Sequence, residues 1–277
     1  MITILRLTLR EVLNKKILLI AAILNIVFLL LFGTLLRFTV RGMESVPVAS
    51  LQKAMLYPQL FSMGLYFASF LVNLFAIFIS VGTISSEIES GIMQAILPKP
   101  VHRAELIIGK FVGYGLTIGV LGASIFVALL AMLKFMCGYV PTNTGFGMML
   151  FLLQPLILLT LTMVGSTFFS TMANGITVIM LYVIATVGGM VETIGGFLKN
   201  STLINTGIIS SLLVPTDAMY RKMVSVMIAG NGSPLNVLSM TPFGTNAPPS
   251  TFMIVYTCLY LMLFLYLGIH IFAKRDI

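Results

Sequence analysis

The stretch GTISSEIESGIMQAILPKPVHRAELIIGK, residues 82–110, is a polar interruption between two long apolar runs. It holds six of the chain's twenty-four charged residues, which are Glu87, Glu89, Lys99, Arg103, Glu105 and Lys110. Ionised side chains at this density are costly inside a bilayer. Because the flanking segments are apolar enough to lie in the membrane, we expect this stretch to leave the membrane and to lie in water or against a soluble protein.

The composition places the chain among membrane proteins. Hydrophobic residues make up 58% of it and charged residues only 9%, whereas about a quarter of the residues in a soluble domain are charged. The mean hydropathy is +1.08. The net charge of +8 comes from basic residues that flank apolar runs and do not cluster with aromatics. Contact with anionic lipid headgroups therefore explains this charge better than nucleic-acid binding does.

The reactive residue types give no sign of catalysis or of a metal site. The cysteines, Cys137 and Cys258, form no CxxC pair, which speaks against a zinc site or a disulfide framework. The histidines, His102 and His270, belong to no HExxH motif or Ser/His arrangement. We therefore expect no catalytic residues and no metal ligands, and we interpret both cysteines as packing residues.

The first sixteen residues, MITILRLTLREVLNKK, precede the first apolar run. Ile2, Leu5 and Leu9 follow helical spacing, while Arg6 and Arg10 take other positions, which predicts an amphipathic helix over residues 1–16 at the membrane interface. A cleaved signal peptide is the alternative. Residues 17–36 are too long for a signal h-region and lack an A-x-A-like exit, which favours a retained first span.

Apolar runs of about 20 residues predict the transmembrane helices. A polar break at residues 170–175 divides the uncharged stretch between Lys134 and Glu192 into two spans. The predicted fold is therefore an all-α polytopic membrane protein with one domain over residues 1–277 and both termini on one side. Its six predicted spans are residues 17–36, 59–83, 106–133, 147–169, 176–197 and 251–272.

The distribution of Lys and Arg predicts the orientation. With cytoplasmic termini, the inner segments hold nine basic residues and the outer segments seven. The four basic residues before the first span carry most weight under the positive-inside rule. We therefore expect residues 82–110 in the cytoplasm and residues 198–250 outside.

The predicted outer loop, residues 198–250, is not uniformly polar. Its segment IISSLLVPTDAMYRKMVSVMI, residues 208–228, predicts a short amphipathic helix or helix pair at the outer interface. Asp217 and Arg221 are four residues apart there. At that spacing we expect an ordinary helix-surface ion pair worth a few tenths of a kcal/mol.

A short helix is predicted inside residues 84–100. Ser86 and Glu89 have the S-x-x-E spacing of a capping box, and Ile84 and Ile88 begin an apolar stripe. The prolines at positions 98 and 100 end that helix, because proline has no backbone N–H to continue it. The pattern predicts a short helix between spans two and three with an acidic start and an apolar side.

Three polar residues within the spans are candidates for a substrate path. Glu192 lies near the outer end of span five, where an ionisable group is costly and often functional; its alternative is to reach the outer interface. Asn25 in span one and Asn73 in span two are buried amides. Bridging between helices is the alternative use for both of them.

The pattern of the central stretch resembles the permease subunits of type-2, exporter-type ABC transporters. The ending is similar to the basic-then-Asp tail common in that family, and VPTDAMYR, residues 214–221, resembles an outer loop of the branch that includes copper-maturation permeases of nitrous oxide reductase. The residues that carry the main resemblance are Gly82, Ser86, Glu87, Ser90, Gly91, Leu97, Pro100, Val101, Arg103, Leu106, Gly109 and Lys110.

The resemblance implies half of a transporter. Such a permease pairs with a second copy of itself or with a paralogue, and with two copies of a separate ATPase subunit that binds ATP and Mg. Residues 84–100 would then be the coupling segment on the ATPase, with Glu87, Glu89, Lys99 and Arg103 as its contacts. The chain has no GxxxxGK[ST] loop, so we expect no ATP site and no cofactor in the permease itself.

The resemblance also implies an exporter in the plasma (inner) membrane of a prokaryote, with spans two and five, brought together across the dimer, lining the path. Two alternatives remain open. The first is a membrane scaffold or maturation component that recruits an ATPase. The second is a secondary transporter, for which inverted repeats and ionisable groups at mid-membrane are typical, whereas these spans have few charges at their centres.

Overall fold

The computed structural model describes residues 2–14, 16–44, 50–91, 103–228 and 248–274. Within these ranges all regular structure is helical, as the sequence predicts. In chain order the helices are α1 (Ile2–Asn14), α2 (Lys16–Glu44), α3 (Ser50–Ser80), α4 (Ser85–Glu89), α5 (Arg103–Cys137), α6 (Thr144–Gly165), α7 (Thr171–Leu198), α8 (Ser201–Leu213), α9 (Thr216–Ile228) and α10 (Phe252–Lys274).

Six stretches are long and apolar enough to cross a membrane, which confirms the prediction of six spans. They are Lys16–Gly42, Leu56–Glu89, Ala104–Cys137, Thr144–Gly165, Thr171–Leu198 and Phe252–Lys274. The boundary between spans four and five lies earlier in the chain than predicted. Span four ends at Gly165, where a turn follows, and the backbone at Ser170 is extended. Span five therefore begins at Thr171 and includes most of the polar break.

The fourth span is the centre of the bundle. Helix α6 packs against α3, α5, α7, α9 and α10. Of its most apolar 18-residue stretch, 72% is buried. Span one is the least buried of the six, with 6% of its most apolar 18-residue stretch buried. Its exposed apolar side chains suit a lipid environment, where they need no protein partner.

Helix α1 packs along the first turns of α5. Gly109 and Gly113 make this possible, because a Cβ atom at either position would come within 2.8 Å of the side chain of Ile4 or Thr8. Thr8 is buried on this side, whereas Arg6 and Arg10 are exposed. The predicted amphipathic helix is thus present in the structure, and its place at the membrane surface stays a prediction.

Helices α7 and α8 form a tight hairpin. The chain reverses at Lys199, whose φ of 52° is left-handed, and Asn200 then caps α8 by accepting from the backbone N–H of Thr202 at 3.0 Å. A Cβ atom at Gly195 would lie 2.7 Å from Cβ of Leu203. The missing side chain therefore lets the two helices approach closely.

The predicted helix pair is present as α8 and α9, but α9 does not lie on the surface as an amphipathic helix would, so that part of the prediction was wrong. Asp217, Met219, Arg221 and Met223 are all buried, because α9 packs against α3, α6, α7, α8 and α10. The helix pair also begins earlier than predicted, at Ser201, and breaks at the Val214 and Pro215 positions. Residues 229–247 of the predicted outer loop lie outside the described residues.

Candidate functional site

The short helix α4 follows α3 after a turn and forms the last residues of the second apolar stretch. Its N-cap residue is Ile84, which has no side-chain oxygen and makes no side-chain cap. Ser86 lies inside the first turn, and its hydroxyl donates to the carbonyl of Gly82. Glu89 instead accepts from the backbone N–H of Thr171 at 3.3 Å. The predicted capping box is therefore wrong, because the helix starts too early for Ser86 to be its N-cap.

Lys110 of α5 joins α4 to the end of α3. Its Nζ atom lies 2.5 Å from Oε2 of Glu87 and donates to the carbonyl oxygen of Thr83 at 2.7 Å. Lys110 is only 5% exposed, so its charge is removed from water and depends on these partners. The ammonium group thus ties span three to the exit of span two.

The first turn of α7 holds the same segment from another side. The hydroxyls of Ser85 and Thr171 are 2.8 Å apart. The side-chain amide of Asn174 donates to the carbonyl oxygens of Val81 at 3.0 Å and of Thr162 in α6 at 2.9 Å. These bonds connect the exit of span two to spans four and five. In the sequence, Thr171 and Asn174 signalled only a break between spans.

The four residues predicted to contact an ATPase are only partly described. Glu87 binds Lys110, and Glu89 contacts Thr171 while its side chain remains exposed. Arg103 is the first residue of α5, but its side chain lies outside the described residues, as does Lys99 altogether. The ATPase contact of these four residues stays a prediction.

A buried ionic cluster lies near the other end of the bundle. Nε of Arg221 donates to Oδ2 of Asp217 at 2.8 Å, and its Nη2 donates to Oε2 of Glu192 at 2.7 Å and to Oγ of Ser211 at 3.2 Å. Arg221 is 3% exposed, and Asp217 and Glu192 are each 7% exposed. The predicted pair of Asp217 and Arg221 is present, but the prediction that it lies on the helix surface was wrong, because α7 and α8 cover this part of α9.

Glycines make the space for this cluster. A Cβ atom at Gly189 would overlap the Asp217 carboxylate, and one at Gly207 would overlap the side chain of Glu192. Gly188 makes room in the same way for Ser210 of α8. The glycine pair beside Glu192 was the available signal in the sequence, because glycines allow a polar group of a neighbouring helix to approach the backbone closely.

A small cavity lies beside the cluster, between spans two, four and five. The space that the centre of a water-sized sphere can reach is about 10 Å³. This is enough for one water-sized species. Asn73 donates from Nδ2 to the hydroxyl of Tyr182 at 3.3 Å, so this amide bridges spans two and five. The lining residues are Tyr66, Ser69, Asn73, Gln154, Tyr182, Thr186, Thr216, Asp217 and Tyr220.

The electrostatics of Asp217 follow from its burial. The pKa of Asp217 is raised to about 6; burial is the main cause, the charge of Glu192 also raises the pKa, and the neighbouring Arg221 lowers it. Two carboxylates share one guanidinium group here. Among the described residues no group of three or more His, Cys, Asp or Glu residues is placed to hold a metal ion.

Asn25 lies apart from both sites. It is 8% exposed and lines an apolar groove of about 750 Å³ between α1, α2 and α5. The groove walls also include Leu13, Leu29 and Leu121. The structure therefore does not bring Asn25 together with Asn73 or Glu192, and a substrate role for each of the three stays a prediction.

The comparison with protein families gives a match over almost the whole chain. The model described as "ABC-2 family transporter protein" matches residues 2–277. A search of curated proteins found no match. The similarity of residues 214–221 to the copper-maturation branch falls on buried residues of the ionic cluster, and that branch stays a prediction. The chain belongs to the ABC-2 transporter family and is a transmembrane permease subunit of an ABC transporter.

Proposed function

We propose that the chain is the membrane half of an ATP-driven exporter in a prokaryotic plasma membrane, with both termini in the cytoplasm. Membership of the ABC-2 family implies association with an ABC ATPase subunit. In this proposal two permeases, identical or paralogous, associate with two ATPase subunits, which supply the ATP and Mg sites. The basic residues before span one support the orientation.

The observation that carries this proposal is the bonding of α4, and of the residues just before it, to three spans. Lys110 fixes α4 to span three, and Thr171 fixes it to span five. Asn174 of span five bonds the carbonyls of Val81, which precedes α4, and of Thr162 in span four. A force on α4 from a closing ATPase pair would therefore reach the helices that bracket the transport path, without needing a long flexible lever.

The acidic residues of α4 have distinct roles in this proposal. Glu89 is exposed and presents a carboxylate to the ATPase. Glu87 is only partly exposed, with 19% of its side chain accessible, and pairs with Lys110, so it transmits the motion and contributes less to the contact. Lys99 adds a basic contact from the remainder of the segment, and Arg103 adds one from the start of α5.

The transport path is proposed between spans two and five. The Asn73 to Tyr182 bond and the contact of the Phe70 and Tyr182 rings, whose centroids are 6.1 Å apart, connect these spans within one copy. A change in their separation is the motion that α4 would drive. Glu192 holds Arg221 at the end of span five, where it stabilises the helix hairpin next to the path.

The test is purification of the tagged full-length chain from its native membrane in a mild detergent. We expect an ATPase subunit to co-purify and to hydrolyse ATP. Glu89→Lys should weaken its recovery at least tenfold, because a reversed charge at the contact repels the partner. The matched control is Arg41→Glu, an exposed charge in the last turn of α2, which should leave recovery unchanged.

A charge swap separates the contact from the internal bond. Glu87→Lys alone places two ammonium groups together, whereas Glu87→Lys with Lys110→Glu restores an ion pair of opposite polarity. Recovery of ATPase stimulation in the swap would assign Glu87 to transmission inside the permease. Loss of the ATPase in both variants would assign it to the contact. Absence of any ATPase with the wild-type chain, under several mild conditions, would refute the proposed assembly.

Reconstitution separates a transporter from a scaffold. Vesicles containing the purified complex should move a fluorescent lipid or dye from a test panel only when ATP is hydrolysed. ATP hydrolysis that moves none of the panel, while a further protein co-purifies in stoichiometric amount, would favour the scaffold function.

A further inference from the structure

The buried ionic cluster carries one negative charge too many. Asp217 and Glu192 both bind Arg221, so two carboxylates share a single guanidinium group. The next basic residue of α9, Lys222, points elsewhere, because its Nζ atom donates to the carbonyl of Pro249 at 3.0 Å. An uncompensated charge is expensive in a buried site, so a further positive species would stabilise the folded chain.

The cavity beside Asp217 has polar atoms with no partner. Within the described residues, Oγ of Ser69, Oδ1 of Asn73 and Oγ1 of Thr216 are buried and make no hydrogen bond. The three residues are 6%, 2% and 1% exposed, and all three line the same cavity as Asp217. Buried polar atoms are nearly always paired in native proteins, so their convergence on one cavity marks it as a binding site for a small species.

The chemistry of the lining selects the kind of ligand. The unpaired atoms are an amide oxygen and two hydroxyl oxygens, all of which accept from a donor or coordinate a cation. Oxygen donors suit hard cations, while thiol and imidazole ligands, which soft transition metals prefer, do not line the cavity. A divalent ion such as Mg²⁺ keeps several waters, and this cavity has room for one water-sized species.

We propose that this cavity binds one monovalent cation, sodium, which offsets the second carboxylate of the ionic cluster. Asp217 supplies the charge, and Asn73, Ser69 and Thr216 supply neutral oxygen ligands. The site joins span two to α9 and so links the transport helices to the helix hairpin. This inference does not depend on the partner ATPase or on the direction of transport.

A proton on Asp217 is the competing source of positive charge. The groups that face Asp217 are Arg221 and Tyr220 on its own helix, Glu192 and Tyr182 on α7, and Tyr66 on α3. Burial raises the pKa of Asp217 to about 6. A proton and sodium would therefore compete for the same carboxylate.

The test is the thermal unfolding midpoint of the full-length chain in detergent, with its ATPase where one co-purifies. The midpoint is compared in sodium, potassium and choline chloride at equal ionic strength and pH 8. Saturating sodium should raise the midpoint by about 5 °C over choline, with a smaller effect of potassium.

The variants Ser69→Ala and Thr216→Val remove unpaired oxygens without breaking a bond that the structure shows. Each should lose most of the sodium effect, yet keep or raise the midpoint in choline, because a buried unsatisfied group has been removed. The control is Ser124→Ala in span three, whose hydroxyl bonds the carbonyl of Leu121; it should keep the full sodium effect.

Three results would overturn the proposal. The first is an unfolding midpoint of the wild type that is equal in sodium and choline at pH 8. The second is a sodium effect that survives in both Ser69→Ala and Thr216→Val. The third is a midpoint that rises on acidification by the same amount with and without sodium, which would assign the compensating charge to a proton. Binding of radioactive ²²Na⁺ to the same variants provides the direct measurement.

Discussion

Lys110 and Glu87 form an ion pair, with 2.5 Å between Nζ and Oε2, at the point where span two ends. The same ammonium group donates to the carbonyl of Thr83 at 2.7 Å. Thr83 lies in the turn between α3 and α4, so one lysine holds both this turn and α4. The loss of this single side chain should therefore loosen the connection between spans two and three.

Lys110→Met should lower the free energy of unfolding by about 1–3 kcal/mol. The loss falls below that of a fully buried pair because the Glu87 side chain is 19% exposed and regains water. The unfolding midpoint is measured with a thiol-reactive dye, which reports on the half-buried Cys137 and Cys258.

Lys134→Met is the matched control for that prediction. Lys134 lies in the last turn of the same helix α5 and is exposed, so its replacement should change stability by less than about 0.5 kcal/mol. Equal effects of the two substitutions would show that the buried ion pair contributes nothing specific.

The sequence predicted the membrane fold because the signal is local. A run of about 20 apolar residues is sufficient evidence for a span, and each of the six runs became a long helix. The capping box failed for a local reason too, since the helix starts at Ser85 and leaves Ser86 inside its first turn. Spacing alone does not reveal which residue has the N-cap conformation.

The contacts of the site could not be predicted because their partners are distant in the chain. Glu192 was recognisable as an unusual charge within a span, but its partner Arg221 is 29 residues away. Asp217 and Arg221 were recognised as a pair at helical spacing. Their burial depends on the packing of α9 against α3, α6, α7, α8 and α10, most of which are distant in the chain.

Arg221→Met should destabilise the chain by about 3–5 kcal/mol, because it leaves two buried carboxylates without a cation. The double variant Glu192→Gln with Arg221→Met should recover part of this loss. Arg221→Lys should also be impaired, since an ammonium group does not reproduce the planar fork that binds both carboxylates. Expression level and unfolding midpoint measure these effects, and a fully stable Arg221→Met protein would contradict the importance of the cluster.

Acidification from pH 7 to pH 5 should stabilise the wild type through Asp217, when measured in choline chloride. The pKa of Asp217 is raised from 3.8 to about 6 in the folded chain, so the folded state binds more protons than the unfolded state between these values. Its contribution is therefore greatest at low pH and disappears as the pH rises through 6. The expected gain is about 1 kcal/mol.

Asp217→Asn isolates that contribution from those of other groups. Position 217 no longer titrates in this variant. The contributions of the other titratable groups are the same in both proteins and cancel, so the difference in stability between the two proteins should vary with pH. A parallel pH dependence in both proteins would show that groups other than Asp217 titrate, which is the outcome that contradicts the raised pKa.

Gly189→Ala tests whether a missing side chain makes the room for the ionic cluster. A Cβ atom there would overlap the Asp217 carboxylate, so α7 and α9 must separate or Asp217 must leave Arg221. We expect a loss of about 2 kcal/mol or more in stability, as overpacking adds to the weakened ion pair.

Gly119→Ala is the matched control for Gly189→Ala, because it makes the same chemical change within a span. A Cβ atom at Gly119 would meet nothing within 4 Å, and alanine favours a helix over glycine by up to about 1 kcal/mol. Gly119→Ala should therefore be neutral or stabilising. If both alanines raise the unfolding midpoint, the close approach of Asp217 to α7 does not exist in the folded protein. If Gly189→Ala alone lowers it, and Asp217→Ala in the same chain restores part of the loss, the clash is with that carboxylate.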